Sequence, residues 1–246
     1  MRLQTATWPE VENYLQRSDG IIVPIGSTEQ HGPNGMLGTD AICPETIAFG
    51  VADSIEVLVA PTLSIGQAHH HLGFPGTIAL RPSTMLALLV DVVRSLYQHG
   101  FRHIYFLNGH GGNVATVNTA FQEIYAQSSF GETALSDLRL KLCSWYMAES
   151  VARISKELFG DQEGSHATPS EVSLTFYAYP EDVKSAPMSP ELAPVGNIRD
   201  ADDYRAQFAD GRIGSNPALA TVAAGERLFK ACVTEVVADY AEFITA

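Results

Sequence analysis

Apolar β-branched runs and helical patterns alternate along the first two thirds of the chain. Gly20 to Ile25, Glu56 to Ala60, His103 to Leu107 and Leu138 to Trp145 read as strands. Between them, Pro9 to Arg17, Ala41 to Asp53, Pro82 to His99 and Val114 to Ala126 read as helices, with another helical stretch running on to Phe159. In the 82–99 helix, Leu86, Leu89, Val90 and Val93 recur at i, i+3, i+4 and i+7. Strands separated by helices of this length pair in parallel through right-handed crossovers, which predicts an α/β fold. From Pro180 to Asn216 the pattern breaks down among Pro180, Pro187, Pro190 and Pro194, and this stretch reads as a long excursion or lid. Pro217 to Phe243 closes the chain as an Ala-rich helix with Pro217 in its first turn. With no internal repeat, residues 1–246 are expected to form a single domain.

Two strand ends carry the densest chemistry. Gly26-Ser27-Thr28-Glu29-Gln30-His31-Gly32, with Asp40 shortly after, follows one apolar run, and Asn108-Gly109-His110-Gly111-Gly112-Asn113 follows another. Open α/β sheets build their sites in loops at the carboxyl ends of strands. Glu29 and His31 are two apart, so an extended loop turns both to one side. Asp40 falls near a helix start, as a cap on free N–H groups or as a ligand aimed at the same pocket; Glu29 and His31 upstream favour the ligand. His110 sits among glycines with little packing to do, which favours a ligand too. A nucleotide-binding turn is the rival for that loop, but Gly-x-Gly-x-x-Gly fails at Val114. Together these segments offer two carboxylates and two imidazoles, donors suited to Zn, Mn, Co or Fe.

A third cluster is Gly164-Ser165-His166-Ala167-Thr168-Pro169-Ser170-Glu171. Thr168 or Ser165 can cap a helix beginning near Pro169, leaving Glu171 in its first turn, where a glutamate is either ordinary capping chemistry or a group facing the site. In the run His69-His70-His71, at most His69 and His71 share a side, and one of the three is expected to be functional. For His99 and His103, beside a helix end and a strand start, structural roles suffice.

Composition narrows the partners. A net charge of −13 opposes a nucleic-acid or anionic-membrane partner, and no run of eighteen apolar residues spans a bilayer. The start, Met1 to Pro9, lacks the apolar core of a secretory signal. Cys43, Cys143 and Cys232 are odd in number and far apart, which fits a reducing cytoplasm.

The combination of Gly26-Ser-Thr-Glu-Gln-His-Gly, Gly38-Thr-Asp40, Phe74-Pro-Gly-Thr77 and Asn108-Gly-His-Gly-Gly-Asn113 resembles the creatininase (creatinine amidohydrolase) family; His166 with Glu171 is a looser match. The resemblance implies a three-layer α/β/α sandwich with a mostly parallel central sheet, and homo-oligomers assembled as hexamers. It also implies two divalent metal ions per chain (Zn, Mn or Fe): Glu29 and His110 on one, His31 on the other, Asp40 bridging. Creatininase itself has a metal-binding glutamate where this chain has Gly112, and Glu171 is the best replacement ligand. His71 matches a family histidine before Phe-Pro-Gly-Thr, expected at the substrate, and His166 one implicated in proton transfer, with Glu171 as its catalytic companion. The implied reaction is hydrolysis of an amide C–N bond in a small molecule, creatinine-like or a formamide, by metal-activated water. The alternatives are a maturation peptidase for a peptide-derived cofactor and a metal-binding member without catalysis.

Overall fold

A computed structural model describes residues 1–131 and 135–245. Its sheet has four parallel strands, β1 (Gly20–Ile25), β2 (Leu58–Val59), β3 (His103–Asn108) and β4 (Arg139–Ser144), in the order β2-β1-β3-β4. Because strand side chains alternate between faces, Ile21, Val23, Ile25, Ile104 and Phe106 pack against α1 (Trp8–Leu15), α3 (Pro82–Gln98) and α4 (Val114–Ser129). Ile22, Tyr105 and Leu107 face the other way. They meet α2 (Thr39–Ser54), α5 (Glu149–Phe159), α6 (Pro169–Ala178) and α8 (Val222–Phe243). Helices therefore cover both faces of the sheet, in the three-layer α/β/α arrangement. Among the described residues, no helix is long and apolar enough to cross a membrane.

The strand order fixes where a site can form. From β1 the chain crosses to β2 on one side, and β3 returns on the other, with Ile25 in register with Asn108. The loops leaving β1 and β3 therefore diverge, opening a crevice at the topological switch point. Pro24 lies inside this central strand, where proline is usually excluded. It is accommodated because its carbonyl faces the side on which β2 has ended at Val59, and there accepts a hydrogen bond from Leu63 N at 2.9 Å.

Three expectations need correction. The strand expected over 56–60 shrinks to Leu58–Val59, since Pro61 follows and only an isolated bridge at Leu63 continues the pairing. Pro217 does not open the last helix: Pro217–Leu219 is a separate 3-10 turn, and Thr221 caps α8, its side chain accepting from Ala224 N. The 180–216 stretch is more ordered than its prolines suggest. It contains a 3-10 turn at Pro180–Asp182 and the helix α7 (Ala201–Gln207), and it packs Tyr204, Phe208 and Ile213 around Phe74.

Candidate metal centre

Two glycines let the site close. A Cβ on Gly26 or on Gly109 would stand 2.0 Å from the carbonyl oxygen of Asp40. The first turn of α2 therefore lies directly on the ends of β1 and β3, which only residues without a side chain permit. That approach delivers the Asp40 carboxylate to the loops carrying Glu29, His31 and His110. All four are buried, with Glu29 at 0% and Asp40 at 4% exposure.

Three imidazoles are mounted in the same way. His31 Nδ1 lies 3.1 Å from the carbonyl of Glu29, His110 Nε2 3.1 Å from that of Gln67, and His166 Nε2 2.8 Å from that of Gln30. A carbonyl only accepts, so each of these nitrogens donates, and the opposite nitrogen keeps its lone pair in the neutral ring. A backbone carbonyl orienting the far side of the ring is the usual support of a metal-ligating histidine. The freed nitrogens point at carboxylates: His31 Nε2 is 3.1 Å from Asp40 Oδ1 and 3.9 Å from Glu171 Oε1, and His110 Nδ1 is 3.0 Å from Asp40 Oδ2.

The carboxylates complete the fit. Both Glu29 oxygens and Asp40 Oδ2 are buried without a hydrogen bond of acceptable geometry, although His71 Nε2 and His110 Nε2 come within 3.0 and 3.3 Å of Glu29. Short contacts without hydrogen-bond alignment are what donors converging on a common cation display, and buried charge without such a partner is costly. Donor atoms of Glu29, His31 and Asp40 lie within 4.8 Å of one another, as do those of His31, His166 and Glu171 and those of Glu29, His71 and His166. The residues present therefore suit divalent cations, with nitrogen and oxygen donors in the first-row transition-metal range.

The electrostatics agree with this. Burial and the facing Asp40 carboxylate push Glu29 up. Burial opposes the charge on Asp40, but His31 and His110 hold it far below the usual carboxylate range. In return, burial works against protonating His31 and His110, yet the carboxylates lift them to about 10 and about 9. Without a metal, protons occupy the positions facing the carboxylates.

Glu171 satisfies both of its expected readings. It is the third residue of α6, and its Oε1 accepts from Thr168 N at 2.6 Å while Thr168 Oγ1 accepts from Glu171 N, a complete capping box. The same side chain stands beside His31, and burial lifts its carboxyl to about 7 against the pull of that imidazole. Ala167, between His166 and the cap, takes φ 53°, a costly angle for a residue with a Cβ, at the turn that directs His166 inward.

The histidine run differs from expectation. His69–His71 forms a 3-10 turn, so the two-residue alternation of a strand does not apply. His69 is exposed, His71 is buried against Glu29, and His70 stacks 6.4 Å from the His110 ring. Burial first, then the neighbouring imidazoles, holds His70 and His71 down at about 4 and about 3, so both are neutral. His103, as expected, is structural, with Nδ1 2.8 Å from Asp19.

Gln30 is the residue the motif reading passed over. Its Oε1 accepts from Gly32 N at 2.9 Å, which orients the amide. Its Nε2 then faces His71 Nδ1, His166 Nε2 and the Gly211 carbonyl, each at 2.9 Å, and Tyr204 at 3.1 Å; His166 Nε2 carries its own proton toward the Gln30 carbonyl, which leaves His71 Nδ1 and the Gly211 carbonyl as acceptors. Since that nitrogen donates to His71 Nδ1, the His71 proton resides on Nε2, toward Glu29. Gln30 thereby ties the 180–216 segment to the site. Arg212, fully buried, pins that segment by donating to the carbonyls of Pro190, Glu191 and Ser215 and pairing with Asp210 at 2.8 Å. Two cavities flank the cluster. One of about 420 Å³ meets Asp40, His110 and Glu171, and one of about 370 Å³ meets Glu29, His71 and Tyr204.

Comparison with known proteins agrees with this geometry. The family model for creatininase, described as creatinine amidohydrolase, matches residues 4–240. The chain belongs to the creatininase family. This chain is an enzyme, a hydrolase acting on carbon–nitrogen bonds. The mycofactocin precursor peptide peptidase of Mycolicibacterium smegmatis is 30% identical over 85% of this chain and 79% of its own length. The 3-dehydro-scyllo-inosose hydrolase of Thermotoga maritima is 38% identical over 109 residues, 44% of this chain, and the match spans only 35% of that enzyme. Creatininase structures, one with manganese and one of Zn-Zn type, superpose with a TM-score of 0.85 at 24% identity, each over 100% of this chain and 99% or 98% of theirs.

A creatininase-type glutamate at position 112 has no place in this loop. A Cβ on Gly112 would fall 2.4 Å from His110 Nε2 and 2.7 Å from the Gln67 carbonyl, the pair that fixes the His110 ring. Of the 109–113 turn, the N–H groups of Gly109, His110 and Asn113 are bound to Ile25 O, Asn108 Oδ1 and His110 O.

Proposed function

We propose that this single-domain protein is an amidohydrolase that holds two divalent ions, Zn, Mn or Fe, and cleaves the C–N bond of a small non-peptide or cyclic amide. The observation that carries the reading is the set of carbonyl-anchored imidazoles whose free nitrogens converge on the unpartnered oxygens of Glu29 and Asp40. Glu29, His31, Asp40 and His110 would hold the ions, with Glu171 in the role that Gly112 has vacated. When bound, such ions lower the pKa of a water toward neutrality and polarise an amide carbonyl.

The chain's own groups do the rest. Glu171, whose Oε1 is committed to the cap, would offer Oε2 to an ion or to a proton in transit to the departing nitrogen. Burial, helped by His71 and His31, keeps His166 uncharged, so its Nδ1 accepts a proton and passes it to the departing nitrogen. The N–H groups of Gly109 and His110 are bound within the protein, so those of Gly111 and Gly112 would be the ones to meet a developing oxyanion. His71 contacts the substrate from the second cavity.

The likeness to the M. smegmatis peptidase favours a second reading, cleavage of a small peptide. Protein reconstituted separately with Zn, Mn and Fe, run against formamides, cyclic amides and short peptides, separates the two. Full metal content and full turnover in Glu29→Gln, His31→Ala, Asp40→Asn and His110→Ala would end the assignment. A homohexamer in a reducing cytoplasm, with no nucleic-acid or membrane partner, completes the proposal; a sedimentation coefficient of a monomer removes the assembly.

A further inference from the structure

The run His69-His70-His71 leaves His70 without a role. A 3-10 turn spaces successive side chains roughly 120° apart. His71 therefore turns in to Glu29, His69 turns out, and His70 lies on the wall of the cavity of about 370 Å³. The other rings on that wall are committed. His71 is held by Gln30 and Glu29, His110 by Gln67 and Asp40, and the Tyr204 hydroxyl accepts from Gln30 and donates to the Gly211 carbonyl. The His70 ring is set by ring contacts alone, its centroid 4.3 Å from His71, 6.1 Å from Tyr204 and 6.4 Å from His110. Among the described residues neither of its nitrogens has a hydrogen bond or an ion pair, and neither is sealed from solvent.

This wall offers a ligand no counter-charge. Among the described residues no lysine or arginine lines the cavity, and its carboxylate, Glu29, faces the proposed ions. A charged substituent would enter at the cost of its hydration, with nothing to replace it. His70 itself is uncharged, chiefly through burial. A neutral imidazole presents one donor and one acceptor. The exposed Ser165 hydroxyl and Asn197 carboxamide, on the same wall and without side-chain hydrogen bonds, also do both. Ile198 and Ile213 add apolar surface for a carbon skeleton. Groups of this kind match a hydroxyl, which donates and accepts at a single atom.

We propose that His70 is the specificity-determining residue for a neutral, hydroxyl-bearing substituent that the substrate carries beside its scissile amide. One ring nitrogen donates to the hydroxyl and the other accepts from it or from a neighbouring one, with Ser165 and Asn197 as further partners. The substrate class narrows to hydroxylated amides, and a substituent ending in a cation or a carboxylate is rejected from this cavity. This rests on the amidohydrolase reading only for where the bond is cut.

The test uses the metal-loaded protein and probes of equal length that differ in one terminal group: 3-hydroxypropanamide, butanamide and protonated β-alaninamide, titrated by chemical-shift perturbation. Wild type is expected to bind the hydroxyl probe about tenfold more tightly than either of the others, because a site built to bond a hydroxyl rejects analogues that leave its polar groups unpaired. His70→Phe keeps a ring against Tyr204 and His110 but offers no nitrogen, and is expected to bring the hydroxyl and methyl probes within about twofold. His70→Gln, whose carboxamide donates and accepts, is expected to restore part of the gap. Equal affinities in the wild type, or tighter binding of the ammonium probe, overturn the proposal without any variant having to fold. A gap untouched by His70→Phe overturns it too. A hydroxyl preference in a protein that hydrolyses no amide sinks the amidohydrolase reading alone, whereas amide turnover blind to the hydroxyl sinks this one alone.

Discussion

The loops after β1 and β3 and the segment over 180–216 meet at the same site but are built in opposite ways. The first pair is held by the sheet register and by the contact of Asp40 with Gly26 and Gly109, so its carboxylates and imidazoles sit on rigid backbone. The second has no strand of the sheet: Arg212 braces it from within, and the Gln30 amide, the backbone bonds of Ile213 with Ser165 and His166, and the packing around Phe74 join it to the rest. Charge density is concentrated where the sheet fixes the backbone, while the segment that shapes the second cavity is held by loop hydrogen bonds and by the Phe74 cluster. Chemistry and access are thus separable by mutation.

The largest effect is expected from breaking the rigid side. Asp40→Asn keeps the volume but removes a charge faced by His31 and His110 at 3.1 and 3.0 Å. Metal content by elemental analysis should fall, and kcat/KM should drop by more than the roughly 10–100-fold typical of outer partners. Retained metal would contradict a ligand role for Asp40.

Breaking the second side should cost stability and leave the metals. Arg212→Ala strips donors from the Pro190, Glu191 and Ser215 carbonyls and the partner from Asp210. Loss of a buried pair costs about 3–5 kcal/mol, and the partial exposure of Asp210 sets the lower end of that range. Denaturant unfolding of the metal-loaded protein should show the loss, with stoichiometric metal after refolding. Loss of metal along with stability would mean that the two regions are one unit.

Gln30 joins the two, so its replacement sharpens the comparison. Gln30→Leu leaves His71 Nδ1 without its donor and the Gly211 carbonyl with Tyr204 as its donor, freeing His71 to change tautomer in front of Glu29. Turnover should fall about 10–100-fold, with metal still bound. A shift in the ring-nitrogen resonances of His71 is the signature that a merely structural residue would not produce.

The two regions also differed in how far the sequence disclosed them. Glu29, His31, Asp40 and His110 were legible because each stands at a strand end or helix start, where local rules give both position and direction. Glu171 showed as a capping residue from Thr168-Pro169-Ser170-Glu171, but its nearness to His31 depends on how α6 packs against α2, which no local pattern encodes. Which histidines of the 69–71 run turn inward was not legible, because a 3-10 turn has neither the strand nor the helix period. Gln30 was hidden among more reactive neighbours. Arg212 had no local signal at all, since its partners lie on carbonyls up to 22 residues away. The layers followed from the alternation of elements, whereas the β2-β1-β3-β4 order, which creates the crevice, is a product of tertiary packing.

The gentlest perturbation is pH, and it acts on the rigid side alone. In the metal-free protein His31 and His110 are lifted to about 10 and about 9, above the ordinary histidine value of about 6.5. Groups raised on folding stabilise fully below their unfolded value, and that contribution is lost as pH climbs through the folded one. Glu171, lifted to about 7, adds a loss of the same sign at lower pH, between its unfolded value of 4.5 and 7. The metal-free protein should therefore lose stability steadily from about pH 6.5 to about pH 10. Metal binding removes the same protons, so affinity for Zn should rise across that window, with protons released on titration in weak buffer. The gap in Tm between metal-loaded and metal-free protein should widen with pH, by a few degrees for each kcal/mol of linkage. A gap that stays constant from pH 6.5 to 10 would mean that protons and metal do not compete for the nitrogens facing Asp40.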